Sequence, residues 1–378
     1  MAKVLILGGG FGGVVAAKRL ADELGDEHQI TLVSRSRQFV FSPALVKLAF
    51  GKCEREDVSF DLRKSMLDRR INFIEAEVAR IDPFERKVFI AHGEVEGQLH
   101  YDYVVFALGR RLATEQISGF YEHAHHLLNV DKALKFRKAI TDFHQGRAVI
   151  AQCAGSRLPI PVYETAFELA RRLEEHKERE RVQITIVSPE PPGADFGDSA
   201  FGPKLQTALD RHGIEFLIAS PNKINEHSVI TTDGHAINFD MLMLMPPFQG
   251  APATLHQGIT TDTYIDVDRS MRVVGIDRMY AVGDCVNFDG PKMGHMAVRQ
   301  AEVAATNLIA EINGLEPAAH YEHEMRLVVD EGGPDSIYLF KDIWSNEAGT
   351  IRQGRFWSWA KRVQQKYWEN STFDFRKL

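Results

Sequence analysis

The first 34 residues alternate apolar runs with a glycine-rich turn. Residues 3–7 form a short apolar run, which is typical of a parallel strand buried on both faces. The next six residues, 8–13, include five glycines, and the spacing of apolar positions over 14–20 indicates a helix. A second apolar run lies at 29–33. The order strand, turn, helix, strand predicts a βαβ unit.

The glycines of this turn occupy all three positions of the pattern G-x-G-x-x-G. Gly8 permits the tight turn, Gly10 lets a pyrophosphate approach the backbone, and Gly13 lets helix and strand pack closely. The helix that follows this turn presents its N-terminal amides and its dipole to the phosphates. The turn therefore predicts a dinucleotide site.

The end of the second strand lacks the acidic residue that often binds the adenosine ribose. Ser34 and Arg35 stand there instead. A serine hydroxyl can bond a ribose hydroxyl, whereas an arginine can neutralise a phosphate or stack on adenine. This motif alone leaves NADP open as the ligand.

A second unit of the same kind is predicted from a strand, a helix and a strand at 146–153, 162–175 and 182–187. Its turn contains one glycine, Gly155, and two prolines, Pro159 and Pro161. Because proline has no amide hydrogen to offer an anion, this turn cannot form a phosphate cradle. The sequence therefore argues against NAD(P)H as the electron donor.

Two later segments, 101–109 and 278–284, are predicted strands that end in turns of small residues. They resemble the second and third FAD signatures of the pyridine nucleotide–disulfide oxidoreductase superfamily. The resemblance implies that the cofactor is FAD, that Asp284 accepts a hydrogen bond from a ribityl hydroxyl, and that Gly283 leaves room for the cofactor chain. Covalent attachment of the FAD stays open.

A more specific resemblance is to the sulfide:quinone oxidoreductases and flavocytochrome c sulfide dehydrogenases. Residues 161–164 resemble their Pro-x-Tyr-Glu segment, and residues 39–43 resemble their loop beside the flavin. Residues 291–297 resemble their Pro-Lys-x-Gly-x-Met segment, whose backbone and lysine lie close to the isoalloxazine. The aromatic and basic residues of 356–361 and 366–367 resemble their terminal membrane-binding segment. A quinone acceptor and a small-molecule donor are implied.

These resemblances complete the predicted set of cofactor-binding residues: Gly8, Gly10, Gly12, Gly13, Ser34, Arg35, Pro43, Val78, Ala107, Gly109, Gly283, Asp284, Lys292 and Gly294.

The chain departs from that family at its redox cysteines. Family members take up sulfide on cysteines near the flavin, and the reactive species is the thiolate. Alignment places Leu128, Leu158 and Leu327 at those positions, and none of them can form a persulfide. We therefore expect the usual cysteine chemistry to be absent. The alternative is a substitute catalytic pair made of Cys153 and Cys285, which a loss of sulfide-dependent quinone reduction on Cys153→Ser would reveal.

Two further residues are candidates for the chemistry. Glu164 is expected to open the second helix facing the cofactor and to supply protons to a quinone. Its alternative is a first-turn carboxylate favoured by the helix dipole. Lys292 is expected near the flavin pyrimidine edge, and its alternative is a solvated loop lysine. The histidines of 123–126 have no accompanying cysteine or carboxylate pattern, so a surface loop and no metal site are predicted.

Charge and composition limit the binding partners and the cellular location that we expect for the protein. The net charge of −7 gives no general attraction to nucleic acid or anionic lipid. The longest apolar stretches, such as 241–248, fall far short of the roughly 18 residues that span a bilayer. Met1 is followed almost at once by the first strand, so no signal peptide is expected. A cytoplasmic protein that does not span the membrane is predicted.

The C-terminal end has a different character. Residues 351–378 carry seven basic and two acidic side chains, and three of the four tryptophans lie between 357 and 368. An aromatic, basic and amphipathic helix is typical of a segment that lies in the lipid interface. The alternative is a helix that packs on the body of the protein or on a second subunit.

The predicted fold class is α/β, with two Rossmann-like domains of the FAD/NAD(P)-binding type and a membrane-binding tail. Residues 1–112 and 271–325 are assigned to the FAD domain, 113–270 to the second domain and 326–378 to the tail. The predicted function is FAD-dependent transfer of electrons from an unidentified donor to a quinone, at the cytoplasmic face of the membrane. The alternatives are a type II NADH:quinone oxidoreductase and a non-catalytic flavoprotein subunit. A homo-oligomer stays open.

Overall fold

The computed structural model describes residues 1–198, 200–254, 259–357 and 359–360. The first part of the chain contains four helices, α1 (Phe11–Glu23), α2 (Leu45–Ala49), α3 (Arg55–Val58) and α4 (Leu62–Leu67). Its strands are β1 (Lys3–Leu7), β2 (Gln29–Ser34), β3 (Gln38–Val40), β4 (Ser59–Asp61), β5 (Asn72–Asp82), β6 (Lys87–Gly93), β7 (Gly97–His100), β8 (Tyr103–Phe106) and β9 (Arg110–Leu112).

The middle of the chain contains α5 (Phe120–His123), α6 (Val130–Asp142), α7 (Ile160–Glu175) and α8 (Phe201–Arg211). Its strands are β10 (Gly146–Gln152), β11 (Val182–Ser188), β12 (Glu215–Ile218), β13 (Pro221–Asn225), β14 (Ser228–Thr231), β15 (Ala236–Asn238), β16 (Met241–Met245), β17 (Phe248–Gly250), β18 (Thr260–Thr261) and β19 (Tyr264–Ile265). The last part contains α9 (Gly294–Ile312), β20 (Met279–Ala281), β21 (Glu324–Asp330), β22 (Ser336–Asp342) and β23 (Thr350–Gln353).

The larger sheet joins the two ends of the chain. Its strand order is β20-β8-β1-β2-β5-β6-β7, and the five strands from β20 to β5 are parallel. Strands β6 and β7 continue it as an antiparallel extension of β5. Strands β1, β8 and β20 are almost entirely apolar, in keeping with α1 and α9, which pack together over the sheet and leave these strands buried. Strand β20, far along the sequence, thus completes a sheet that β1 begins.

The second sheet repeats the parallel arrangement with other residues. Its order is β12-β11-β10-β16, and all three pairings are parallel. All five residues of β16 are buried, and α7 packs against β10 and β11. The two sheets, their helices and the connecting strands confirm the α/β fold class predicted from the alternation of strands and helices.

A third, antiparallel sheet of β21, β22 and β23 packs on α7 through β21. It carries the chain to the start of the predicted membrane helix, most of which, 361–378, lies outside the described residues. The residues at 355–357 and 359–360 are helical, and Trp357 stacks on Tyr338 with ring centroids 4.0 Å apart. Within the part of the chain that the structure describes, no helix is long and apolar enough to cross a bilayer.

Candidate flavin site

The three segments that resemble FAD signatures meet at one edge of the larger sheet. Strands β1, β8 and β20 are neighbours, with Leu7 opposite Phe106 and Phe106 opposite Ala281. The carboxyl ends of these parallel strands therefore point the same way. The turns that follow them lie side by side, although Gly8 and Gly283, in the first and last of these turns, are 275 residues apart in the sequence. A crevice at the carboxyl ends of parallel strands is where dinucleotides bind in such sheets.

Two glycines of the first turn are required by the protein itself. Gly8 has φ +113°, which L side chains rarely adopt, and a Cβ there would overlap the carbonyl oxygen of Ala107. A Cβ at Gly13 would overlap the carbonyl oxygen of Gly8. At Gly12 the added atom would lie 2.8 Å from Val282 Cγ2. The absence of side chains at these glycines therefore lets the turn pack closely against the residues that follow β8 and β20.

Gly10 differs because no packing contact requires it. Its backbone is ordinary, with φ −83°, and an added Cβ would meet no atom of the described residues within 4 Å. Gly10 is also the N-cap of α1, which has no side-chain cap among the described residues and no acidic residue in its first turn. The helix thus points its N-terminal amides, which have no acceptor within the helix itself, toward a space that only a glycine leaves clear. The turn fits the pyrophosphate of FAD.

The third signature is held by two residues that the sequence did not single out. The Gly283 amide donates to Gln300 Oε1 at 2.6 Å, and the Asp284 carboxylate is ion-paired with Arg110. Gln300 belongs to α9 and is buried, so its polar group on an apolar helix face is the signal that could have identified it. Arg110 directly follows Gly109 at the end of the second signature.

Lys292 is buried, with 6% of its surface exposed, so the alternative of a solvated loop lysine is wrong. Its Nζ donates to the carbonyl oxygens of Val286 and Phe288, the latter at 3.2 Å. The same atom lies 4.9 Å from the ring centroid of Tyr264. Burial, and then the charge of Arg157, lower the pKa of Lys292 to about 7.

The remaining cofactor candidates lie along the same edge. Ser34 ends β2 and is buried, and its hydroxyl donates to the Ser36 carbonyl at 2.8 Å. Arg35 and Pro43 are exposed, whereas Val78 is half-buried in β5. Ala107 and Gly109 follow β8, and Gly294 begins α9, where an added Cβ would lie 3.1 Å from the ring of Phe11. Their contacts with FAD stay predictions.

The second turn, between β10 and α7, is fixed by hydrogen bonds within the turn and with two neighbouring segments. The Ser156 amide donates to the Cys153 carbonyl at 3.1 Å, and the carbonyl oxygen of Arg157 accepts from the Lys292 amide at 2.7 Å. Gly155 accepts from the Phe248 amide at 3.0 Å. The prolines at 159 and 161 have no amide to offer. With the Ser156 amide bonded within the turn and two prolines that lack an N–H group, this turn does not repeat the glycine-lined arrangement of the first turn in the described residues.

The crevice beside this turn is also crossed by a side chain. Gln152, at the end of β10, donates from Nε2 to Ser188 Oγ at 2.8 Å and to Asp195 Oδ2 at 2.8 Å. Ser188 is the last residue of β11, so the amide connects the carboxyl ends of two adjacent strands. In a nucleotide-binding unit this is the space that the ligand occupies.

The two cysteines proposed as a substitute pair are buried in different places. Cys153 belongs to a cluster around β10 and β16, and Cys285 belongs to the main core, with its Sγ 3.2 Å from the Val282 carbonyl oxygen. Burial raises the pKa of each thiol to about 12, which disfavours the thiolate at neutral pH. Neither feature supports the pair as a nucleophile, and it stays a prediction. Leu128, Leu158 and Leu327 pack against apolar neighbours.

Glu164 is placed differently from both descriptions given by the sequence. Helix α7 begins at Ile160, so Glu164 lies in its second turn and neither opens the helix nor belongs to the first turn. It is 5% exposed, and its Oε1 accepts from the Asp330 amide of β21 at 3.1 Å. One turn further, Glu168 is ion-paired with Lys52, and burial raises the pKa of Glu168. A buried carboxylate cluster thus joins α7 to the third sheet.

The histidines of 123–126 do not form the predicted surface loop. His126 is buried and stacks on Phe120, and His125 stacks on Phe136. Burial lowers the pKa of His126 to about 4. Apolar and aromatic neighbours therefore explain these side chains. In the described ranges, no group of three His, Cys, Asp or Glu side chains is arranged to hold a metal ion.

Comparisons with known proteins agree with this geometry. The chain is 26% identical over 394 residues to a sulfide-quinone reductase of Aquifex aeolicus (strain VF5), covering 97% of this chain and 90% of that protein. It is 25% identical over 367 residues to a type II NADH:quinone oxidoreductase of Staphylococcus aureus (strain MSSA476), covering 90% of each. The X-ray structure of the sulfide:quinone oxidoreductase from Aquifex aeolicus superposes with a TM-score of 0.90 at 24% identity, covering 97% of this chain and 90% of that one.

These findings confirm the predicted resemblance to sulfide:quinone oxidoreductases and the predicted FAD cofactor. The family model described as pyridine nucleotide-disulphide oxidoreductase matches residues 2–301, well over half of the sequence. The match includes both parallel sheets and all three segments that converge on the crevice. This chain belongs to the pyridine nucleotide-disulphide oxidoreductase family of FAD-binding flavoproteins.

Proposed function

We propose that this protein passes two electrons from a small-molecule donor through FAD to a quinone at a membrane surface. The observation that carries the proposal is the difference between the two strand–turn–helix units. The first unit has clear space at Gly10 beside the N-terminal amides of α1, whereas the second unit bonds its Ser156 amide within the turn and has prolines at 159 and 161. The chain therefore has a place for one dinucleotide, which suits a donor other than NAD(P)H.

The quinone acceptor is supported by what the relatives share. The relative from Aquifex aeolicus is a sulfide-quinone reductase and the one from Staphylococcus aureus is an NADH:quinone oxidoreductase, so their names differ in the donor and agree on the quinone. The closed second turn is the feature of this chain that favours a non-nicotinamide donor such as sulfide or a small thiol. The leucines at the aligned cysteine positions exclude a persulfide at those three places.

When bound, FAD supplies the two-electron chemistry that connects donor and acceptor. The protein contributes charge and protons around it. The buried Lys292 ammonium donates to the carbonyls of Val286 and Phe288, next to the Asp284 turn that fits the ribityl chain, and its lowered pKa, about 7, lets it lose a proton near neutral pH. Glu164 is the proposed acid for the protons that a quinone takes up, since its carboxylate is buried and fixed by the Asp330 amide.

The decisive experiment separates the two half-reactions in the FAD-loaded protein. Under anaerobic conditions, sulfide, small thiols, NADH and NADPH are each mixed with the protein while the visible flavin absorbance is followed. We expect sulfide or a thiol to bleach the flavin and NADH to leave it unchanged. Protein reduced by dithionite is then mixed with a soluble quinone, which we expect to restore the absorbance.

Two outcomes contradict the proposal in different ways. Bleaching by NADH within seconds would assign the chain to the type II NADH:quinone oxidoreductases. Reduced protein that no quinone reoxidises would identify the FAD as structural and the chain as a non-catalytic subunit.

Attachment to the membrane is proposed for the C-terminal segment. Phe356 and Trp359 are 61% and 54% exposed, beside the basic residues that give 351–378 its positive charge. The double substitution Phe356→Ser with Trp359→Ser is expected to abolish sedimentation with anionic lipid vesicles. Phe84→Ser is the control, because Phe84 is 76% exposed in the turn between β5 and β6. Unchanged sedimentation of the double variant would assign the segment to protein packing instead.

A further inference from the structure

The second turn, between β10 and α7, makes a contact with the segment that follows the third FAD signature. The Arg157 side chain leaves this turn and reaches the segment 286–292, which follows the third FAD signature. Its Nε donates to the Gly290 carbonyl at 3.1 Å and its Nη2 donates to the Phe288 carbonyl at 2.5 Å. The backbone takes part as well, because the Arg157 carbonyl accepts from the Lys292 amide at 2.7 Å. Three hydrogen bonds thus fix one segment to one residue.

Arg157 and Lys292 share two binding partners. The Phe288 carbonyl accepts from Arg157 Nη2 at 2.5 Å and from Lys292 Nζ at 3.2 Å. The Tyr264 ring lies beneath both cations, 5.4 Å from the Arg157 guanidinium carbon and 4.9 Å from Lys292 Nζ. Two positive charges held this close repel one another, and each lowers the affinity of the other site for a proton. Arginine stays charged, so the lysine is the group that responds.

The other groups around the ammonium come from several elements. The turn after β20 contributes negative charge, and aromatic or neutral groups come from β19 and from the residues before β21. The charged and titratable neighbours of Lys292 are Arg157, Tyr264, Asp284, Cys285, Asp289 and His323, and Arg110 neutralises Asp284. Arg157 is the charge with the largest effect on Lys292, ahead of Asp284, which is ion-paired with Arg110, and of Asp289. Burial and Arg157 are the two largest causes that lower the pKa of Lys292.

We propose that Arg157 is a positioning residue for Lys292. It fixes segment 286–292 against the second turn and, through its own charge, sets the pH at which the Lys292 ammonium gives up its proton beside the flavin. The inference rests on the proposed function only in placing Lys292 next to FAD. The inference also gives the second turn a role, because its Arg157 controls the charge of Lys292 at the proposed flavin site.

The test is a pH titration of the visible spectrum of oxidised, FAD-loaded protein, without donor or quinone. We expect an inflection near pH 7 in the unsubstituted protein. Lys292→Met should remove it, which assigns the inflection to Lys292. Arg157→Gln should move the inflection upward by about one pH unit, because a positive neighbour has been removed. Arg157→Lys, which keeps the charge, should leave it close to its original position.

A matched control is Arg179→Gln. Arg179 also donates to backbone carbonyls of its own domain, those of Val182, His212 and Gly213, and it is not among the charges that act on Lys292. Its loss should leave the inflection unmoved even where it lowers stability. If Arg157→Gln does not retain FAD, Arg157→Met keeps an apolar stem against Tyr264 and carries the same expected shift.

Either of two results overturns the inference. An inflection that persists in Lys292→Met excludes Lys292 as the titrating group. An inflection that stays in place in both neutral Arg157 variants reduces Arg157 to a purely structural contact. Failure of quinone to reoxidise the flavin would contradict the proposed function without affecting this titration, so the two can be told apart.

Discussion

The turns after β1 and β10 occupy the same place in two similar strand–turn–helix units, but they differ in the space and the amides that they offer to an anion. Each follows a buried parallel strand and leads into a helix that packs on its sheet. The first turn contains five glycines and keeps the α1 amides facing a clear space. The second contains two prolines, bonds its own amide at Ser156 and extends the Arg157 side chain into a neighbouring segment.

The difference shows that a dinucleotide fold and a dinucleotide site have separate physical origins. The parallel sheet depends on apolar strands and on the helices that cover them, and both units keep these. The anion site depends on a few residues whose backbone must approach the ligand and whose amides must stay free. The two units differ in this last group of residues. Topology therefore supports a fold assignment, and function has to be argued from the turn.

Gly13→Ala tests the packing of the first turn, and we expect it to have the largest effect of the substitutions considered. A Cβ at Gly13 would overlap the Gly8 carbonyl oxygen, so the helix would have to move away from the glycine turn. We expect the free energy of unfolding to fall by about 3 kcal/mol and FAD to be lost on gel filtration. Denaturant unfolding measures the first and the visible absorbance of the eluted protein measures the second.

A decrease in the free energy of unfolding on Gly13→Ala is informative because Gly13 lies inside α1, where alanine would otherwise be favoured. In a helix without close neighbours, alanine stabilises relative to glycine by up to about 1 kcal/mol. Gly12→Ala is the matched control, since its Cβ would meet the side chain of Val282 at 2.8 Å, which can shift more easily than backbone. A Gly13→Ala protein as stable as the original would show that the turn is not held as tightly as described.

The sequence predicted the strands and glycines of the first unit because their pattern is local. Gly8 to Gly13 and the apolar run of β1 lie within a dozen residues, and the periodicity specifies both strand and turn. The prolines of the second turn were equally visible. The convergence of the three FAD signatures was predicted by resemblance, and the order β20-β8-β1 gives its physical basis.

What the sequence did not predict depends on contacts between distant residues. Its position on an apolar helix face makes Gln300 recognisable as a candidate, but its partner Gly283 lies 17 residues away and cannot be read from the local sequence. Nothing near Arg157 indicates that its guanidinium would bind Phe288 and Gly290. The expected position of Glu164 at the start of the helix was wrong because α7 begins two residues earlier than predicted, at Ile160, which moves the carboxylate into the second turn. Helix boundaries follow from local capping, and Pro161 is compatible with the first turn.

The next substitution, Gly10→Ala, separates the ligand from the fold. Its Cβ meets no atom of the described residues and its φ of −83° suits alanine, so the stability of the FAD-free protein should not fall. The affinity for FAD should decrease by about tenfold or more, because the methyl group occupies space that the pyrophosphate needs. Fluorescence titration of FAD-free protein with FAD measures this constant. Unchanged affinity would place the pyrophosphate elsewhere.

The smallest effect is expected at the corresponding glycine of the second turn. Gly155 has φ +77°, and an added Cβ would come no closer than 3.8 Å to Pro247, so Gly155→Ala costs only the backbone strain of about 1 kcal/mol. Gly234→Ala, at φ +86° with no described atom within 4 Å, measures that strain alone and should cost the same. FAD affinity and the response to NADH should both stay as in the original protein, because the proposed function places no phosphate on this turn. If Gly155→Ala weakened FAD binding or changed the flavin's response to NADH, the second turn would have to be a nucleotide site after all, and the contrast with the first turn would fail.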